Sequence, residues 1–160
     1  MAILLRGKTS CAICGNVIER GDEAVLFPHF VLNEKDPLYR LSDASCHEVC
    51  ANADARGQAM LAAADACFRN TGPGKRACAV CGSEILDPDD YFLIAYLGDP
   101  STDPLGRFNY THLHTSHIRD WKQADEFLAL ARAAVEEGRW QGDMLPKLMR
   151  DIEARRSAAA

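Results

Sequence analysis

Cys11-Ala12-Ile13-Cys14-Gly15-Asn16-Val17-Ile18 recurs as Cys78-Ala79-Val80-Cys81-Gly82-Ser83-Glu84-Ile85, displaced by 67 residues (78 − 11 = 67). The displacement holds downstream without a gap. Asp36-Pro37-Leu38 falls on Asp103-Pro104-Leu105, Arg40 on Arg107, His47 on His114 and Cys50 on His117. Twelve of the forty aligned positions, counted from Cys11 and from Cys78, are identical. An ungapped match of this length implies an internal duplication.

Each copy reads C-x2-C, then 32 residues (47 − 14 − 1 = 32), then H-x2-C or H-x2-H. The pattern suits zinc. A Cys-x-x-Cys turn lets two thiolates converge on one tetrahedral ion, and a helical turn supplies two more ligands three residues apart on one face. Gly15 and Gly82 follow the second cysteine, where a tight turn needs positive φ. The expected ligand sets are Cys11, Cys14, His47 and Cys50, and Cys78, Cys81, His114 and His117. Both are closed sets of four, which leave no open position for water or substrate, so the two zinc ions are expected to be structural. Each copy has only about sixty residues and a small core. A structural zinc adds on the order of 10 kcal/mol of binding energy that counts as folding energy.

The chain has seven cysteines. In a reducing cytosol their spacing favours metal over disulfides. Two other readings of the cysteine pairs exist. They could be redox dithiols, but no thioredoxin-like βαβ pattern surrounds either, or the histidines could be ordinary residues of sites that have lost their metal. The repeat also separates neighbours. Cys46 is matched by Leu113 and His112 by Ser45, so both are expected to be bystanders, Cys46 as a packed thiol. Cys67 is matched by Ala134 and is expected to be buried packing.

Apolar strand patterns follow each knuckle: Ala24-Val25-Leu26-Phe27 running on to Phe30-Val31-Leu32, and Tyr91 to Leu97. Turn chemistry lies around Asp36-Pro37 and from Asp99 to Pro104. A second strand is expected near Leu38 to Leu41 and Arg107 to Tyr110, giving a β-hairpin. A helix is then expected to begin at the second ligand pair. In the first copy Ser45 and Glu48 read as a capping box; that helix would run to about Arg69 with Val49, Ala53, Met60, Leu61, Ala64 and Phe68 inward, stopped by Gly72-Pro73-Gly74. In the second copy the helix would run from His114 to Glu137, with Ile118, Trp121, Leu128, Ala131 and Val135 inward and Gly138 at its end. A last helix, after Asp143, would turn Leu145, Leu148, Met149 and Ile152 inward. The apolar stripes predict that the two long helices pack together, with Trp140 and the last helix closing the seam.

Knuckle, hairpin and helix in this order resemble a treble-clef zinc module, over residues 11–70 and 78–138. The order C-x2-C…H-x2-C is similar to the first half of LIM domains and to the DNA-break-sensing fingers of poly(ADP-ribose) polymerases, with a long spacing closer to the latter. LIM domains have a second zinc half that is missing here, and those fingers are basic whereas this chain is acidic, so their DNA role is not carried over. The expected architecture is α+β: a first zinc module at 1–72, a second at 73–142, packed together, and a C-terminal helix and tail at 143–160.

The chain has 160 residues, 48% hydrophobic and 26% charged, with a formal charge of -5. This is an ordinary globular balance, and the acidity does not supply the basic face of a typical nucleic-acid binder. Local basic patches exist at Lys75-Arg76 and Arg155-Arg156. No apolar run approaches the ~20 residues of a membrane span, and Met1 to Arg6 is too short and mixed for a secretory signal, so the cytoplasm is expected. Gly72-Pro73-Gly74-Lys75 lacks phosphate-loop spacing and reads as a linker. Ser116, near His114 and Asp120, lies in a segment committed to metal. The resulting expectation is a non-enzymatic binding protein that recognises another protein, for instance an inhibitor or immunity-type protein with a basic-surfaced partner. The alternatives are a nucleic-acid-binding regulator and, further off, a metal-dependent nuclease using His112 with His29 or Asp90.

The repeat register makes a sharp prediction. Purified protein should carry about two zinc ions. Cys46→Ser and His112→Ala should keep both, whereas Cys50→Ser and His114→Ala should each lose one, as read by elemental analysis. Zinc lost from Cys46→Ser but kept in His47→Ala would break the register.

Overall fold

The computed structural model describes residues 2–72 and 74–157. Met1, Pro73 of the expected linker and Ala158 to Ala160 of the expected tail lie outside them. The described residues form an α+β arrangement, with two two-stranded antiparallel sheets and a C-terminal helix. It divides into two compact units. The first comprises the residues up to Val31 together with Asp36–Phe68; the second comprises Leu32–Lys35 and the chain from Arg69 on.

In the first unit β1 (Ala24–Leu26) pairs with β2 (Ser45–His47), placing Ala24 opposite His47 and Val25 opposite Cys46. Pro28, which has no N–H to give a ladder, lies two residues past its end, and β1 does not run on to Leu32. Instead the Ser42 hydroxyl accepts the N–H groups of Phe30 and Val31, both at 3.1 Å. The expected second strand at Leu38 to Leu41 is a 3-10 turn, Tyr39–Leu41. Asp36 explains the difference, because its Oδ1 accepts the Leu38 N–H at 2.8 Å and its carbonyl accepts the Tyr39 N–H at 3.0 Å, which winds the chain. Asp43 then takes φ 61, and only after it does the chain extend into β2.

The helix of this unit is not the single run expected from Ser45. Ser45 lies in β2, so it caps nothing, and His47 stands at the N-cap without a side-chain bond. The helix is broken at Asp54, whose backbone is extended (φ −92, ψ 133), into α1 (Glu48–Ala53) and α2 (Ala55–Thr71). Asp54 caps α2: its Oδ1 accepts from Arg56 N at 2.8 Å and Gly57 N at 3.2 Å. The break also resets the helical phase. Met60 and Ala64 are buried as expected, but Val49 is 71% and Phe68 67% exposed.

In the second unit β3 (Tyr91–Ile94) pairs with β4 (Thr111–His114). The strand expected at Arg107 to Tyr110 is displaced for the same reason as in the first unit. Asp103 caps a 3-10 turn, Pro104–Phe108, through the Leu105 N–H, and Pro104 sits in its first turn. Tyr110 takes φ 60, and the strand follows it. The helix expected from His114 starts as a 3-10 turn (Thr115–Asp120), straightens at Trp121 and continues as α3 (Ala124–Glu136), with Gly138 at φ 69 just beyond. Val135, expected inward, is 38% exposed.

The apolar stripe of α3 is covered inside this unit. Phe108 meets Trp121 and Phe127 edge-on, with ring centroids 5.9 and 5.3 Å apart. The C-terminal helix α4 (Met144–Ser157) adds Leu145 and Ile152 to the same core, and Trp140 joins them. Arg156–Asp125 and Arg132–Glu153 tie α4 to α3. Leu32–Lys35 belong to this unit. Buried Asn33 donates to the Arg139 carbonyl at 3.0 Å and accepts the Gln141 N–H at 3.0 Å.

Gly57 supplies a test of the broken helix. A Cβ there would lie 2.3 Å from the Ala51 carbonyl oxygen, because the first turn of α2 presses on α1. Helix propensity alone would make Gly57→Ala stabilising by about 1 kcal/mol. Overpacking of about 1–3 kcal/mol outweighs it, so the variant should unfold at lower denaturant concentration. A midpoint at or above that of the parent would contradict the close approach.

Candidate metal centres

The first knuckle is a tight turn. Cys11 N–H donates to the Asn16 carbonyl at 2.8 Å and Gly15 N–H to the Cys11 carbonyl at 2.9 Å, with Gly15 at φ 77. A bridge between Ser10 and Val17 closes it, and Ala12 N–H reaches the Ser45 carbonyl of β2 at 3.0 Å. That bond brings the knuckle beside the end of β2, where His47 sits, and the first turn of α1, which carries Cys50. His47 N–H points at Cys11 Sγ, 3.4 Å away. Its Nδ1 lies 3.5 Å from Cys14 Sγ and 3.8 Å from Cys50 Sγ. On the far side of the ring, Nε2 meets Asp22 Oδ2 at 3.2 Å.

The second centre repeats this frame 67 residues on (for example 114 − 47 = 67). Cys78 N–H donates to Ser83, Gly82 N–H to Cys78 and Ala79 N–H to His112, each at 2.8 Å, while Ala77 bridges Glu84 and Gly82 takes φ 76. His114 N–H points at Cys78 Sγ, again at 3.4 Å. His117 follows in the 3-10 turn with its Nδ1 3.7 Å from Cys78 Sγ, and its ring is edge-on to that of His114. The imidazole of His114 is held differently from that of His47: Nδ1, not Nε2, meets a carboxylate, Asp90 Oδ2, at 2.8 Å.

The residues gathered are Cys11, Cys14, His47 and Cys50 in one cluster and Cys78, Cys81, His114 and His117 in the other. In each the four donor atoms lie within 4.8 Å of one another. Among the described residues these are the groups of Cys, His, Asp and Glu placed to hold a metal ion. Thiolate and imidazole donors in fours suit a borderline-soft divalent ion.

The electrostatics of the bare clusters also call for a cation. Desolvation opposes ionisation of Cys11, but the N–H groups of Cys14, His47 and Ile13 outweigh it and bring the thiol down to about 6. Cys78 is lowered in the same way, its desolvation overcome by the N–H groups of His114, Cys81 and Val80. Cys50 moves the other way, to about 11, through desolvation, its hydrogen bond with Cys14 and the charge on Cys11 and Cys14. The thiols also hold the His47 imidazole above its ordinary value, Cys14 first. Four donors this close cannot all take their ligand form unless a positive charge sits among them.

The neighbouring residues lie elsewhere. Cys46 is fully buried in β2, and desolvation with the Cys11 charge pushes its thiol up to about 11. His112 is buried within β4, its Nε2 2.9 Å from the Asn70 carbonyl and its Nδ1 2.9 Å from Tyr91 OH; desolvation lowers its pKa. Asp90, considered with His112 for an open site, is engaged by Ser116 N–H and His114, which lower its pKa. Cys67, expected to be buried, is only half-buried on α2. The carboxylates behind the histidines were not foreseen. Asp22 matches Asp89 in the repeat, so the alignment gives no signal for Asp90.

No protein-family model matches the chain, nor does any curated protein or solved structure.

Loading should release protons. At about pH 7 Cys50 is protonated in the empty first cluster, and zinc must displace that proton. Affinity should therefore rise with pH, and fall more steeply below about 6, where Cys11 also holds a proton. Chelator-competition titrations with zinc across this range measure the slope; a flat profile would contradict the assignment of Cys50.

Proposed function

We propose that the chain is a non-enzymatic binding protein whose two halves are duplicated, treble-clef-like modules, each held by one structural zinc ion. The observation that carries this reading is the closure of both clusters. Four protein donors within 4.8 Å fill a tetrahedral ion and leave no position for substrate. Zinc is favoured over harder ions by the thiolates. The duplication is supported by contacts that recur at one offset. Knuckle bonds, strand register, the positive-φ residues Asp43 and Tyr110 and the histidine N–H to sulfur contact all differ by 67 (110 − 43 = 67).

The partner favoured is a protein with a basic surface, as an inhibitor or immunity-type protein would meet. The chain carries a formal charge of -5. Its local basic patches are also engaged internally: Arg76 lies over the Tyr91 ring, Arg155 over Phe92, and Arg156 pairs with Asp125. Arg107, Arg132 and Arg139 likewise face Glu126, Glu153 and Asp103. Six of the chain's eighteen lysines and arginines are thus engaged by its own side chains.

The zinc-loaded chain should therefore give no shift with short DNA or RNA at low salt. Affinity capture from its native cells should yield a basic-surfaced protein that re-forms the complex from pure components and loosens with salt. Nucleic-acid binding with a steep salt slope, or metal-dependent cleavage by the pure chain, would replace this reading.

A further inference from the structure

We infer that Asp22 and Asp90 orient the two strand-end histidines in opposite senses, so that the first centre takes His47 through Nδ1 and the second takes His114 through Nε2. The inference rests on the reading of both clusters as zinc centres. A neutral imidazole has one N–H and one lone pair. A carboxylate that accepts the N–H fixes the tautomer and leaves the other nitrogen for the metal.

At the first centre Asp22 Oδ2 faces Nε2, and Nδ1 is the nitrogen turned to the sulfurs of Cys14 and Cys50. At the second, Asp90 Oδ2 faces Nδ1, which leaves Nε2 as the lone pair. Both carboxylates are themselves anchored. Asp22 Oδ2 accepts the Glu19 N–H at 2.7 Å, and Asp90 Oδ1 accepts the Ser116 N–H at 3.1 Å. The backbones do not account for the difference. His47 has φ −59 and ψ 139, His114 φ −60 and ψ 134, and both aim their N–H at a cysteine sulfur at 3.4 Å. What differs is where the acid comes from. Asp22 corresponds to Asp89, and in the second copy the Pro88–Asp90 turn presents the next residue instead. Asp22 and Asp90 are thus positioning residues that act on the metal through an imidazole.

The test uses the zinc-loaded full chain labelled with nitrogen-15 at histidine. Long-range proton–nitrogen correlations should show His47 with zinc on Nδ1 and a proton on Nε2, and His114 with the reverse. Assignment follows from Asp22→Asn and Asp90→Asn, which keep an acceptor oxygen and should each perturb one histidine. In Asp22→Ala and Asp90→Ala, transfer of zinc to a chromogenic chelator should speed up by about tenfold to a hundredfold at the matching centre alone. Zinc on the same nitrogen of both rings, or equal acceleration at both centres, overturns the inference while the zinc reading stands. Protein that takes up no zinc overturns both. Should an alanine variant fail to fold, the wild-type and asparagine spectra decide the matter.

Discussion

Each half of the molecule depends on one constraint, the convergence of four donor atoms into a space 4.8 Å across. Left to themselves these groups resist one another. Cys11 is drawn down to about 6 and Cys50 driven up to about 11 in the same cluster. The fold is arranged to impose the convergence regardless. The knuckle is locked by its glycine and its cross-bridge, it is bonded to the second strand of the hairpin, and that strand ends on the histidine. A first helical turn then places the fourth donor. The short strands both register the donors and bury side chains, among them Cys46, Ile94 and Leu113.

The two units solve the remaining packing problem differently. In the second, α4 has no counterpart in the first and completes a core of aromatic rings under α3, with Arg156–Asp125 and Arg132–Glu153 across its exposed flank. In the first, the helix is broken at Asp54, and Gly57 lets α2 approach the Ala51 backbone closely. A glycine that costs helix propensity is the condition for that approach.

What could be read from the residues divides along a physical line. The knuckles and the paired donors were legible because metal geometry restricts both residue type and spacing. α4 was legible because its stripe is uninterrupted. The second strands were misplaced because Leu38 to Leu41 and Arg107 to Tyr110 are apolar enough for a strand but follow Asp-Pro, whose side-chain oxygen winds the chain into a 3-10 turn. The left-handed residues that end those turns, Asp43 and Tyr110, are not glycines and give no warning. Ser45 and Glu48 match a capping box by type, but the donor at His47 needs an extended strand up to its own position. The break at Asp54 was hidden for a related reason: aspartate caps a helix only by leaving it, and the apolar spacing on either side still looks continuous.

The exchange of Cys50 for His117 is the largest chemical difference between the centres, and the backbone around it changes accordingly. Cys50 rides on an α-turn, whereas His117 rides on a 3-10 turn, Thr115–Asp120. An imidazole reaches farther than a thiol, so its Cα must stand differently to bring a nitrogen to the same point. The rings of His114, at the end of β4, and His117, in the turn, stand edge-on, 5.0 Å between centroids and 70° between planes. Beside the His117 ring, His114 does not repeat the pose of His47. Its ring instead turns Nδ1 to Asp90, one residue past Asp89, which lies 67 residues after Asp22 (89 − 22 = 67). The tighter winding, the change of donor and the shifted carboxylate thus occur together, at a strand end whose backbone is nearly the same in both units.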